Sequence, residues 1–274
     1  QAVVQLQLER FPPLLRPFKK VGYALSAKHR HRIRHEQALL SMSGTRALAV
    51  SRFVAEQVQN TVKLPRERVH VLHNGVDIER FSPTKTSSAR AAAREQFGLT
   101  ESDVVFAFVA HNLTLKNLAL LRAVFPQIQK AFPNTKLLVA SKRRPGFLLP
   151  PWLVWTGHAK SMVLVYAASD AVLHPTYYDA CSNVVLEGMA CGLPVVSSDR
   201  NGSAELISHG KDGCVLPVLD ADAGDRWKAL ICDLIEFRKW REQLGSEARK
   251  TAEKHSLSRY TARLEGILTA CTVL

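Results

Sequence analysis

Short apolar runs of strand length punctuate this chain: 46–50 (RALAV), 69–72, 104–110, 136–140, 153–156, 171–174, the pair Val195 and Val196, and 214–216. The run 171–174 is closed by Pro175 and has no polar alternation, as expected of a strand buried in a parallel sheet. Between the runs lie stretches that read as helices. Ser51 stands where it can cap a helix over 52–61, a second helix is expected over 118–132, and the chain beyond 216 is mostly helical material. The stretch 85–96 is polar and alanine-rich.

The most informative stretch is 167–207, which packs strand, loop, helix, turn, strand and loop around two carboxylates, Asp179 and Glu187. A polar loop, 176–182, leads into a helix that Ser182 or Asn183 can cap. Gly192 and Pro194 end it, and Val195 begins the next strand. Val184, Val185, Leu186, Met189, Ala190 and Cys191 leave that helix no polar face, so it should be buried, with Glu187 as its lone charge. A buried carboxylate needs a partner, which an Arg, a Ser, a backbone amide or a ligand could supply. Seven residues separate Asp179 from Glu187, with the helix N-terminus between them. One loop can therefore offer carboxylates to sugar hydroxyls and free amides to phosphate, a combination suited to a nucleotide sugar.

Composition narrows the partners. The 274 residues, 46% hydrophobic, suffice for one large or two small domains. Lys and Arg number 37 against 24 acidic residues, and the net charge of +13 favours a phosphate-bearing partner, whether nucleic acid, anionic membrane or nucleotide sugar. Five cysteines without a C-x-x-C pair point to a reducing compartment. No apolar run is long enough to span a membrane, and no secretory signal opens the chain, which starts at Gln1. Residues 10–35 hold eight Lys or Arg, three His and no acidic residue, interleaved with apolar positions. This segment reads as a surface for anionic membrane, a nucleic-acid patch or a solvated helix face. His31 and His35 stand four apart without an intervening Glu or a third ligand, so no zinc site is expected there. Asp220 and Asp222 form a D-x-D that serves either a metal or a helix N-terminus, and the latter is the expectation.

The 167–207 stretch closely resembles the acidic signature of the retaining glycosyltransferases of family 4, in which two acidic residues bracket a seven-residue gap ahead of a G-x-P-V-V turn. The family usually has Glu at the first position, where this chain has Asp179. The runs AVSRFVAEQV and RVHVLHNGVDIERFSP likewise resemble the segment that closes the family's acceptor-binding domain and crosses to its donor domain. The resemblance covers residues 45–268 and implies an α/β, Rossmann-like GT-B donor-binding domain, a parallel sheet with helices on both faces, together with the remnant of an N-terminal acceptor domain. Implied boundaries are 1–82 for the remnant and crossover, 83–250 for the donor domain, and 251–274 for a C-terminal helix packing back toward the junction. Only about 80 residues precede the crossover, too few for a Rossmann-like half, so most of the acceptor domain is expected to be missing.

By the same resemblance, Glu187 holds the ribose, and Asp179 with the backbone at Cys181, Ser182, Asn183 and Val184 holds the donor sugar and diphosphate. Lys116 offsets the diphosphate charge. His111, which is charged only when protonated, stands where the family has Arg, and Asn117 where it has Gly. Gly157 and His158 are expected beside the base, with Trp155 in the core. The loop between the strands 136–140 and 153–156 is short where family members commonly place a helix. No metal and no cofactor are implied; the donor is a nucleoside diphosphate sugar, UDP-sugar favoured, and the acceptor a glycan or lipid-linked glycan. The reading is of a cytoplasmic enzyme, peripheral on the inner membrane face, with no nucleic acid partner. Its alternatives are a donor-binding protein without turnover and a basic nucleic-acid-binding protein.

Overall fold

The structure, a computed structural model, describes residues 26–272, the side chains of residues 28, 29 and 272 excepted. Residues 10–25 of the basic segment therefore lie outside the described residues. The remainder opens helix α1 (Ala27–Ser41), in which no described side chain is fully buried.

Two sheets follow. The small one is a parallel pair, β1 (Ala47–Ala49) with β2 (Val69–Val71), joined by α2 (Arg52–Val62), whose N-cap Ser51 accepts a hydrogen bond from the Val54 amide. The larger sheet is built from β3 (Val104–Val109), β4 (Thr135–Ala140), β5 (Leu153–Gly157), β6 (Ala171–His174), β7 (Val195–Ser198) and β8 (Cys214–Leu216). All neighbours pair in parallel, in the order β5-β4-β3-β6-β7-β8. Its strands are apolar on both sides because both faces are covered. On β3, Val105 and Ala107 point into one core and Phe106 and Phe108 into the other. The first core is closed by α3 (Pro83–Gln96), α5 (Met162–Ala167), α6 (Asn183–Ala190) and α8 (Arg238–Glu253), the second by α4 (Leu118–Ala131) and α7 (Ala223–Glu236).

The polar stretch 85–96 forms α3 because its ends and its arginines are satisfied. Ser82 caps it, Pro83 occupies its first turn, and Arg90 and Arg94 both grip Asp170, at 2.8 and 2.9 Å, just ahead of β6. Arg94 is almost fully buried. Asp170 also accepts the Val105 amide at 2.8 Å, so this cluster fastens the amino-terminal edge of the sheet, the edge remote from the site.

The small sheet is tied to the large one by polar contacts rather than by a shared apolar core. Glu205, in a 3-10 turn after β7, accepts the amides of Arg52 and Phe53 at 3.0 and 2.7 Å and lies 2.8 Å from His73 Nε2. A carboxylate on free amides at a helix N-terminus is favoured by hydrogen bonding and by the helix dipole. Gly202 packs so closely that an added Cβ would lie 2.0 Å from Ala180 O and 2.4 Å from Ser51 Oγ. Finally, α9 (Leu257–Thr272) returns to the crossover: Val76 and Ser256 form a parallel bridge, and Arg46 reaches Cys271 Sγ at 3.5 Å. Glu205→Ala is expected to lower the unfolding free energy by about 1–3 kcal/mol, since it strands two amides and a histidine. Urea denaturation reads this, and an unchanged midpoint would show that the junction does not depend on Glu205.

Candidate active site

In the order β5-β4-β3-β6-β7-β8 the chain leaves the centre in opposite directions from β3 and β6, so the loops after these two neighbours open a crevice at the carboxyl edge. Both loops are braced there. In the β3–α4 loop, Asn112 accepts the Leu115 amide on its side chain and the Lys116 amide on its carbonyl, at 3.0 and 2.9 Å. Asn117 then adopts a left-handed conformation (φ 62°) and caps α4 by accepting the Leu120 amide at 3.2 Å. Asparagine tolerates that conformation best after glycine, which accounts for Asn117 where the family has Gly. The β6–α6 loop is bonded to this one, the Tyr177 amide donating to Leu115 O at 2.9 Å, and to β7 through Ser198 Oγ and Thr176 O at 2.7 Å.

Asp179 is fixed by its backbone, bridged to Asn201 through Arg200 O and the Gly202 amide, each at 3.0 Å. Its carboxylate meets the Lys116 ammonium in a part-buried ion pair and takes a further bond from His174 Nε2 at 3.3 Å. Burial alone would raise the Asp179 pKa. The His174 hydrogen bond and the Lys116 charge outweigh it and hold the group well below the usual carboxylate range. His174, at the end of β6, is fully buried, and burial pushes its pKa down. It is thus a neutral imidazole whose Nε2–H donates to Asp179, because that carboxylate can only accept. Among the described residues its Nδ1 has no partner.

Helix α6 carries Glu187. Val185, Leu186 and Met189 are fully buried, and Gly188 lets the helix settle on β6, where an added Cβ would come 2.8 Å from Val172. The partner that Glu187 requires is the hydroxyl of Tyr166 on α5, which donates at 2.7 Å. Burial raises the Glu187 pKa against the opposing effects of that bond and of Arg80. Burial and the neighbouring Glu187 charge raise Tyr166 well above its ordinary value, so its hydroxyl stays protonated and donating. The sequence pattern did not single out Tyr166; the available signal was that a buried tyrosine and a buried glutamate both need partners.

The structure redistributes the loop residues expected to hold a donor. Ser182 occupies the N-cap position without a side-chain cap bond, and its amide is taken by Asn201 Oδ1 at 3.3 Å. Cys181 faces inward, its thiol accepting from Ser203 Oγ at 3.4 Å and its carbonyl from Asn74 Nδ2 at 2.9 Å. Asn74 also donates to Asn183 Oδ1 at 2.9 Å. The Ser182 amide and the Cys181 carbonyl and thiol are thus engaged within the protein, whereas the first-turn amides of Asn183 and Val184 are of the kind a helix leaves open. Gly157 ends β5 at a positive φ of 71°, followed by exposed His158. Trp155 donates from its indole to Ser141 O at 2.9 Å and so serves the loop between β4 and β5. His111 is exposed and makes no hydrogen bond or ion pair with Lys116 or Asp179; it stands on the rim of a cleft beside α4. Asp222 occupies the N-cap position of α7, so the D-x-D stands at a helix N-terminus as the sequence suggested, without a side-chain cap bond; Asp220 and Asp222 both pair with Arg226, at 3.8 and 2.8 Å.

A wholly parallel six-stranded sheet of this order, covered by helices on both faces, is a Rossmann-like α/β unit of GT-B type, and the Lys116–Asp179 pair stands at its switch point with Glu187 on the following helix. Solved structures share the fold. WaaG, a glycosyltransferase involved in lipopolysaccharide biosynthesis, superposes with a TM-score of 0.76 at 20% identity over 90% of this chain and 69% of its own. Anabaena Alr3699/HepE, in complex with UDP and glucose, gives 0.69 at 19% identity over 82% and 63%. The family profile described as Glycosyl transferases group 1 matches residues 103–235, and that described as Glycosyltransferase Family 4 matches residues 10–80. Two stretches of the chain are thus similar to these glycosyltransferase families. Relatives include a D-inositol 3-phosphate glycosyltransferase of Segniliparus rotundus, 29% identical over 62% of this chain, and spore coat protein SA of Bacillus subtilis, 24% identical over 76%. The chain spans 39% and 60% of those two relatives' lengths.

Proposed function

We propose that this chain carries the donor site of a retaining glycosyltransferase that moves a hexose-like sugar from UDP-sugar to a glycan or glycolipid acceptor. The observation that carries the reading is the Lys116–Asp179 pair at the switch point, with the α6 amides and Glu187 on the adjoining helix. With the donor in place, Glu187 accepts from the ribose hydroxyls and Asp179 from a sugar hydroxyl. Lys116, released from Asp179, turns its ammonium to the diphosphate alongside the Asn183 and Val184 amides. In transfer with retention, the acceptor oxygen bonds to the anomeric carbon on the face from which the diphosphate oxygen departs. The acceptor proton passes to that departing oxygen, so no protein nucleophile is consumed. Charge grows on the leaving diphosphate as the bond breaks, and Lys116 stabilises the transition state more than the ground state.

Supporting the UDP-sugar reading, HepE is described with UDP and glucose and with UDP-glucose. The glycolipid acceptor and a role in lipopolysaccharide rest on the fold shared with WaaG and on the basic segment 10–35, which suits anionic membrane. Among the described residues no helix is long and apolar enough to cross a membrane, and a cytoplasmic enzyme peripheral on the inner face is the corresponding localisation. Asp179 in place of the family's Glu favours, as a second reading, donor binding without turnover.

Calorimetry with UDP-, GDP- and ADP-glucose, followed by an assay for glucose release or transfer, tests both readings. The expected result is saturable binding of UDP-glucose above the other two, together with turnover. Binding without turnover selects the second reading, and binding of none of the three overturns both.

A further inference from the structure

Crossovers in a parallel sheet are right-handed, so the connections from β3 to β4 and from β4 to β5 belong on one face. Helix α4 covers the first, whereas the second is only a loop from 141 to 152. A cleft of about 580 Å³ lies between this loop and α4 at the carboxyl edge of the sheet. Leu113, Leu118, Phe147 and Tyr177 give it an apolar lining, and His111, Arg122, Arg143 and Arg144 stand around them. Among the described residues no carboxylate lines it, and Lys116, Asp179 and Glu187 are not part of its lining. Among the described residues none of the three arginines has an ion-pair partner. Two are set by stacking instead: the Arg122 guanidinium lies 4.4 Å from the centre of the Phe147 ring and that of Arg144 5.7 Å from that of Trp155. The loop is braced from within, Trp155 holding Ser141 O and the Ser141 hydroxyl donating to Arg143 O at 2.8 Å.

Three uncompensated guanidinium groups around one concavity form a focused positive field, and their planar forks match the geometry of phosphate oxygens. We propose that this cleft is a second phosphate-binding subsite, which seats a phosphoryl group other than the donor's diphosphate, beside the Lys116–Asp179 crevice. It goes beyond the donor reading and relies on that reading only in treating the two anion sites as neighbours in one enzyme.

The probe is inorganic pyrophosphate, titrated into the full chain at physiological ionic strength, alone and with saturating UDP. The donor's diphosphate site takes pyrophosphate as well, so the wild type is expected to bind it saturably and saturating UDP to leave one pyrophosphate site in place. With UDP saturating, pyrophosphate affinity in the doubly substituted R143A/R144A chain, which breaks no ion pair, should fall at least about tenfold, while UDP affinity changes less than about twofold. Complete displacement of pyrophosphate by UDP, equal pyrophosphate affinity in the double variant with UDP present, or absence of saturable binding would each overturn the proposal. Failure of the donor reading looks different: UDP then fails to bind the wild type, while the double variant's response to pyrophosphate still decides the cleft.

Discussion

Lys116→Ala is expected to lower the turnover of a nucleoside diphosphate sugar by about 10²- to 10³-fold, the loss that follows removal of one preorganised group aimed at developing charge. The fall should lie mainly in kcat, because the ammonium is needed most when the diphosphate carries its full leaving charge. Lys116→Arg restores a cation and should recover part of the rate, which a purely structural role would not require. The ligand-free protein changes as well. Asp179 is depressed because the His174 bond and the Lys116 charge together outweigh burial, so its ionised form stabilises the fold at all pH values above the ordinary aspartate range. That contribution fades only as pH falls through the depressed value. Without Lys116 the carboxylate keeps only the His174 bond, its pKa rises, and acid unfolding should begin at higher pH. An unchanged kcat, with donor turnover measured at saturation, would remove Lys116 from the chemistry.

What the sequence disclosed followed the range of each interaction. Strand and helix positions were legible wherever a local signal set them, as with Ser51 capping α2, Pro175 closing β6, and Gly192 with Pro194 ending α6. The two carboxylates were legible because a lone Glu on an apolar helix is out of place. That Lys116 and Asp179, 63 positions apart, serve one site followed from the family resemblance, but nothing in the sequence disclosed that they form an ion pair. The partners that make the site work were hidden for the same reason. Tyr166 for Glu187, His174 for Asp179, Asn201 for the Ser182 amide and Asn74 for Cys181 O are each fixed by packing between elements rather than by neighbours in the chain. Ser182 shows the limit of local reasoning. It sits at the N-cap, one of the two positions the sequence offered, yet its side chain makes no cap bond; the loop is held by the bridge between Asp179 and Asn201. Helix α3 shows the converse: a polar stretch without an evident core face is ordered by Ser82, Pro83 and the two arginines on Asp170.

Glu187→Gln is expected to divide stability from binding. In the ligand-free chain Glu187 is held by the Tyr166 hydroxyl at 2.7 Å, and burial raises its pKa. A carboxyl whose folded pKa lies above its unfolded value contributes stability that is complete below the unfolded pKa and is lost as pH rises through the folded one. At neutral pH the ionised group therefore costs the empty protein stability. Glutamine keeps an acceptor for Tyr166 and removes the charge, so the variant should unfold at a higher temperature than wild type, by a margin that shrinks as pH falls toward the carboxylate range. Binding should move the other way. Hydrogen bonds from the ribose hydroxyls to a charged acceptor contribute about 1.5–3 kcal/mol, and their weakening should reduce UDP affinity by about 10- to 100-fold. The two measurements answer separate questions. A higher melting temperature with UDP affinity unchanged would leave Glu187 as a buried carboxylate that Tyr166 merely satisfies. A higher melting temperature with weakened binding would identify a site whose charge is retained at the expense of the empty fold, because the ligand alone can fully satisfy it.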